Sequence, residues 1–354
     1  MTPTHEADFT FAETEPFPLA SGGSLCPVRL HYAWYGDMSE ARDNTILVCH
    51  ALSGSARVGD WWADLLGPGK PFDTARYCVL GINVIGSCYG STGPTSLNPA
   101  TGRPYGGDFP VVSIFDMVRA QAKLLDHLGI AKLHAVVGGS IGGMQALAWA
   151  LLFPERVPRC IAIGAAPLNA MALALSHLQR QAIRNDPAWR GGHYPAGEQP
   201  IAGLALARAI ATCTYKSDEL FRERYGRRPN RVGEDPTKNH VHRYDVAGYL
   251  DLQGQRFIER FDANSYLAIS RAQDTFDLLD DLRRVQARTL LVGITRDWLF
   301  PPEDIRDLAE RLRAAGVNAS YAEIVTNHGH DGFLAHPELL GPLLADVIEQ
   351  SMKT

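Results

Sequence analysis

Two periodicities alternate along the first half of the chain and return in its last quarter. Asn44–Cys49 (NTILVC), Tyr77–Asn83 (YCVLGIN), His134–Gly138 (HAVVG) and Arg159–Gly164 (RCIAIG) are short, continuous apolar runs. Runs of this length predict strands buried on both faces. Val28–Tyr35 alternates only in part, which suits an antiparallel strand at a sheet edge. Between the runs, Ile114, Met117, Val118, Ala122, Leu125 and Leu128 recur at helical spacing, so Ser113–Leu128 predicts an amphipathic helix. Ile141–Leu152 predicts another, ended before Pro154. Strands alternating with helices imply a mostly parallel sheet with right-handed crossovers, an α/β fold.

The alternation breaks after Pro167. From Asn169 to Leu282 the chain reads as helices and loops, among them Leu173–Asn185, Gly203–Thr212 and the Asp262–Thr275 region. It resumes with the run Thr289–Ile294 (TLLVGI), the helix Pro302–Ala315, the strand Ser320–Val325 and a last helix, Pro337–Glu349. The economical reading is one α/β core over residues 1–167 and 284–354, interrupted by a helical insertion over 168–283. Such an insertion predicts a lid over the carboxyl edge of the strands, where open α/β sheets bind ligands.

Composition narrows the function. A chain of 354 residues, 45% hydrophobic and 21% charged, suits one soluble α/β domain with an insertion. The net charge of -5 argues against nucleic acid, which needs a clustered basic face. Six cysteines without CxxC spacing give neither a disulfide framework nor a metal pattern, and suit a cytoplasmic protein. The first 17 residues carry Glu6, Asp8, Glu13 and Glu15 and lack the apolar stretch of a signal peptide. With no apolar run near 18 residues, no membrane span is expected.

The sharpest chemical signal is Gly138-Gly139-Ser140-Ile141-Gly142, a G-x-S-x-G between a predicted strand and a predicted helix. A glycine-rich turn with an N-capping serine would look the same in five residues. The strand before and the helix after favour a nucleophile thrust out at a helix N-terminus. A serine needs a base, and the base an orienting acid. Asp297 follows TLLVGI, and His330 follows the last strand. Each sits on a loop at a strand's carboxyl end, in the chain order Ser-Asp-His. The rivals are His328 as base and Asp304 as acid. Two backbone donors would hold an oxyanion: the N–H of Ile141, after the nucleophile, and that of Leu52, in the HALSG turn after NTILVC.

Further tracts bear a family resemblance. They are HALSG (50–54), GPGKPFDT (67–74), NVIGSCYGSTGPTSLNPATGRPYG (83–106), VVGGSIGGMQAL (136–147), QRQAIRNDPAW (179–189), GLALAR (203–208), FDANSYL (261–267), TRDWLF (295–300) and GHDGFL (329–334). Together they span nearly the whole chain, and the chain resembles the homoserine O-acyltransferases of the α/β-hydrolase type. The resemblance implies Ser140 as nucleophile, Asp297 as orienting acid and His330 as base. It also implies that Arg208 grips the amino-acid substrate and Asp331 contacts its polar end. It further implies a homodimer in methionine biosynthesis, with acyl-CoA as co-substrate and no other cofactor. Members transfer acetyl or succinyl groups to homoserine or serine. Ser87 and Ser53 stand where glycine and threonine are frequent, and both bear on that choice. The tracts expected to line the acyl pocket carry no lysine or arginine, which favours acetyl over an anionic succinyl group. Arg57, Arg180 and Arg184 are the cations that could turn inward.

Overall fold

The apolar runs become the centre of an eight-stranded sheet. In chain order the strands are β1 (His5–Phe11), β2 (Val28–Tyr35), β3 (Thr45–Cys49), β4 (Cys78–Ile82), β5 (Ala135–Gly139), β6 (Arg159–Ile163), β7 (Arg288–Ile294) and β8 (Ala319–Ile324). The structure is a computed structural model and describes residues 1–278 and 281–349. Spatial order is β1-β2-β4-β3-β5-β6-β7-β8. β2 is antiparallel to both β1 and β4, and the remaining neighbours are parallel.

One expectation is corrected here. Val28–Tyr35 is antiparallel but does not lie at the edge, because β1 covers its outer side from His5 against Trp34 to Phe11 against Val28. In β1 only Ala7, Phe9 and Phe11 are half-buried, while Glu6, Asp8 and Thr10 face water. Acidic residues are poor strand formers, so the apolar alternation is too thin to read as a strand. On an exposed edge the same charges discourage pairing with another chain.

Helix α1 (Ile114–His127) and α2 (Ile141–Leu152) precede five helices between β6 and β7. These are α3 (Ala170–Arg184), α4 (Ile201–Tyr215), α5 (Asp218–Arg224), α6 (Asp245–Ile258) and α7 (Ala263–Asp274). Arg180 of α3 pairs with Asp274 of α7 at 2.5 Å, and Ser176 donates to the same carboxylate at 2.7 Å. Helices α8 (Pro302–Ala314) and α9 (Pro337–Glu349) complete the chain. Among the described residues, no helix is long and apolar enough to cross a membrane.

The continuous apolar runs have a structural reason. Leu47, Cys49 and Val136 point into the core shared with α1, α2 and α8, whereas Ile46, Val48 and Val137 point into a second core shared with α9. Successive side chains alternate faces, and both faces are covered, so every position must be apolar.

α1 begins where the sequence predicts. Ser113 Oγ accepts from Asp116 N at 3.1 Å, and Asp116 accepts from Ser113 N at 2.8 Å, a reciprocal capping box. Asp116 also accepts from Ala20 N at 2.9 Å, which ties the N-terminal segment to the helix. Ser113→Ala should therefore cost about 1 kcal/mol of stability, measured as a fall in urea midpoint with an unchanged slope.

Candidate active site

Ser140 lies between β5 and α2 at φ 59° and ψ -128°, a region that side-chain-bearing residues seldom occupy. Such a backbone costs about 1–3 kcal/mol and persists only where its surroundings hold it. Here they do. Ser140 N donates to Ile163 O at 2.8 Å, and Ser140 O accepts from Gly143 N and Met144 N at 2.8 and 3.1 Å. A Cβ at Gly142 would lie 2.1 Å from Cys49 O, and one at Gly138 would lie 2.2 Å from the Gly142 carbonyl. The glycines let β3, β5 and α2 meet closely enough to expel the serine. The residue is only 7% exposed.

His330 and Asp297 come together across 33 residues of chain. His330 Nδ1 donates to Asp297 Oδ2 at 2.6 Å, and each residue is 3% exposed. Asp297 Oδ1 accepts from Leu299 N and Phe300 N, both at 2.9 Å, so the carboxylate cannot swing away. With Nδ1 as the donor, Nε2 carries the lone pair a base needs. Burial works against the charged imidazole. The Asp297 carboxylate, by charge and hydrogen bond, and then Asp331 outweigh it and hold the pKa above the ordinary value. Phe333 links His330 to the turn that carries Ser140: its ring lies edge-on to His330 at 5.6 Å and fills the space that a Cβ on Gly139 would need.

The rivals lie elsewhere. His328 contacts Thr326 and His336 Nε2, the latter at 2.9 Å, and its pKa is lowered by burial, then by His336, Lys216 and Arg224. Asp304 accepts from Asn169 at 2.9 Å, on α8. Neither is bonded to His330 or Asp297.

The HALSG turn packs beside the start of α2. His50 Nδ1 donates to Ala51 O at 2.8 Å and Nε2 accepts from Val84 N at 3.3 Å; burial pushes its pKa down to about 4, so the ring stays neutral. Gln145 of α2 donates to His50 O at 3.3 Å. Leu52 follows in this anchored turn, and Ile141 N–H is among the first donors of α2, which lack partners within the helix.

Arg208 of α4 lies over Tyr215 and Phe257, its guanidinium carbon 5.3 and 5.0 Å from their ring centres. Among the described residues no carboxylate pairs with it. Asp331 lies beside His330, where it pairs with Lys216 at 2.7 Å. The other sequence-stated cations are committed: Arg57 to Glu6 at 2.7 Å, Arg180 to Asp274, and Arg184 to the face of Trp189. Ser87 is fully buried, and its hydroxyl has no partner among the described residues.

Two residues escaped the sequence reading. Arg260 reaches from the end of α6 to Ser53 O at 2.9 Å, the Tyr89 hydroxyl at 2.6 Å and Ser53 Oγ at 3.4 Å, so a cation does touch the HALSG turn. It lines a cavity of about 650 Å³ with Arg57, Trp61 and Tyr89. Lys216 is the other. Neither lies in a motif with a chemical reading, and both matter only through partners far along the chain.

Comparisons with known proteins place the chain in a family. The sequence pattern of the α/β-hydrolase fold matches residues 44–337. A homoserine O-acetyltransferase of Symbiobacterium thermophilum is 47% identical over 90% of this chain and 88% of its own. A homoserine O-succinyltransferase of Bordetella avium is 45% identical over 90% of this chain and 82% of its own. The chain belongs to the homoserine O-acyltransferases of the α/β-hydrolase fold. Among solved structures, the Bacillus anthracis homoserine O-acetyltransferase superposes with a TM-score of 0.91 at 29% identity, covering all of both chains. Esterase E22 superposes with a TM-score of 0.89 at 28% identity, covering 98% of this chain and all of that one.

The acyltransferase therefore depends on the crowding around Gly142. Gly142→Ala should force β3 from α2 and destabilise the enzyme by about 3 kcal/mol or more. Thermal unfolding checks this, and a melting temperature within error of wild type would refute it.

Proposed function

We propose that the enzyme moves an acetyl group from acetyl-CoA to the side-chain hydroxyl of L-homoserine by way of an acyl-serine at Ser140. The observation that carries this reading is the buried Asp297–His330 pair beside the strained serine, with Arg208 paired to no carboxylate among the described residues. His330 Nε2 takes the Ser140 proton as Oγ attacks the thioester carbon. The N–H groups of Leu52 and Ile141 receive the oxyanion. The carbon–sulfur bond breaks, CoA leaves with a proton from His330, and the acyl-serine remains. Homoserine then docks with its α-carboxylate on Arg208, whose planar fork suits a carboxylate, and its ammonium on Asp331. His330 takes the homoserine hydroxyl proton, the hydroxyl oxygen attacks the acyl carbon, and Ser140 recovers its proton. Asp297 keeps the imidazole in the correct tautomer throughout.

Water competes for the acyl-serine. In this reading the five helices between β6 and β7, within residues 168–283, form a lid over the core of 1–167 and 284–354 and favour the bound hydroxyl over water. We place the enzyme in the cytoplasm, as a homodimer joined through that insertion, in methionine biosynthesis. Serine is the alternative acceptor, one methylene shorter. Succinyl-CoA is the alternative donor, and a specific observation favours testing it: Arg260 lies on the HALSG turn, where a second carboxylate could meet it.

Two outcomes are expected. Mixed with acetyl-CoA alone, the enzyme should gain one acetyl group by mass spectrometry, mapped to Ser140, and Ser140→Ala should gain none. A kcat/KM for succinyl-CoA above that for acetyl-CoA would overturn the donor, and one for serine above homoserine would overturn the acceptor. Arg208→Ala should spare the acylation burst but lower kcat/KM for homoserine by the cost of a charged hydrogen bond, about 1.5–3 kcal/mol or roughly ten- to hundredfold. Loss of the burst itself would remove Arg208 from the acceptor site.

A further inference from the structure

The end of α4 clasps the turn that carries His330. Three consecutive residues do so. The Tyr215 ring lies 5.8 Å from the His330 ring. Lys216 Nζ pairs with Asp331 Oδ2 at 2.7 Å. The Ser217 hydroxyl donates to the Asn327 carbonyl. Arg208 lies two turns earlier on the same helix, over the Tyr215 ring. One helix thus brings a guanidinium that pairs with no carboxylate among the described residues to the same space as a carboxylate that already holds an ammonium. The Lys216 and Asp331 side chains are only 14% and 25% exposed, so this is no solvated surface pair.

The ε-ammonium of lysine is the same chemical group as the α-ammonium of an amino acid: one charge and three N–H donors. We propose that Lys216 stands in for the acceptor's ammonium: it neutralises Asp331 while Ser140 is being acylated, and the incoming amino acid displaces it. The inference rests on the acyl-transfer reading above and adds a residue to it. Lys216 is a positioning residue, since it acts on His330 and the acceptor through Asp331.

The need for a stand-in follows from the order of the two half-reactions. Asp331 directly follows His330, and a bare carboxylate there would favour the imidazolium and deprive Ser140 of its base. The charges around the turn are few. Asp297 and Asp331 favour the charged imidazole and Lys216 opposes it. Arg208 acts from α4, and the rings of Tyr215 and Tyr249 lie in the field of Asp331. Arg224 contacts His328 at 3.3 Å, and Glu223 accepts from Asn327 of the same turn at 2.9 Å. Among the described residues Lys216 is the cation in contact with Asp331. When a homoserine ammonium replaces it, the charge beside His330 is unchanged, so the imidazole serves as base in both halves. Lysine suits an exchangeable contact, because its ammonium is a flexible point charge, whereas arginine would grip in two places.

The test uses the full-length chain with Lys216→Met and Lys216→Arg. Acylation of Ser140 is read as the burst from p-nitrophenyl acetate across pH, with no acceptor present. The wild-type burst rises with pH as His330 loses its proton. In Lys216→Met that rise should move to higher pH, because Asp331 is no longer compensated; Lys216→Arg should keep the wild-type profile. With acetyl-CoA and homoserine, Lys216→Met should lower the KM for homoserine about two- to fivefold and Lys216→Arg should raise it. A purely structural role would raise KM in the methionine variant and leave the burst profile in place. A Lys216→Met burst profile that superimposes on wild type, or a homoserine KM that holds level or rises in that variant, overturns the proposal. If wild type transfers nothing to homoserine, the substrate reading fails and displacement fails with it. The burst profile then decides the neutralising role by itself.

Discussion

A serine held at φ 59° exists only where the backbone around it leaves no alternative. In this enzyme the closure is steric. Gly138 and Gly142 touch one another's backbone, and Gly142 also lies against Cys49 at the end of β3. The helix that starts at Ile141 is pressed against the strand that ends at the HALSG turn. The proposed nucleophile and oxyanion donors are therefore set by one contact. The dipole of α2 points at the same place, so strain, donors and field converge there.

The base approaches from the other side of the sheet's carboxyl edge, and its supports are apolar. Phe333 fills the space over Gly139, Gly164 gives the imidazole room, and Phe300 stacks obliquely on it. Burial this complete would ordinarily push a histidine's pKa down. The Asp297 carboxylate reverses that shift, and it is itself held by the two backbone N–H groups that follow it. A buried, largely aromatic shell around the Asp297–His330 pair strengthens each interaction inside it.

The residues proposed for the site come from two parts of the chain. The core supplies Ser140, Asp297 and His330, while the helices between β6 and β7 supply Arg208, Lys216 and Arg260. The same fold serves an esterase and a homoserine O-acetyltransferase, as the two structural neighbours show, so the fold alone does not choose between such chemistries.

The sequence by itself determined the strands, their burial on both faces and the serine turn, because those features depend on local periodicity and on glycines a few residues apart. The helices over Ser113–Leu128 and Ile141–Leu152 were legible for the same reason. The acid and base were legible through chain order, since each follows a strand whose apolar run is plain. The edge strand β1 was not, because acidic residues on its exposed face hide the alternation and only pairing with β2 defines it. The tertiary structure alone decided that Lys216 occupies Asp331 and that Arg260 reaches Ser53 across 207 residues. Charged side chains in unpatterned helices have no local signature. Their partners are chosen by how the inserted helices pack over the sheet, and that packing lies beyond the reach of any short window of sequence.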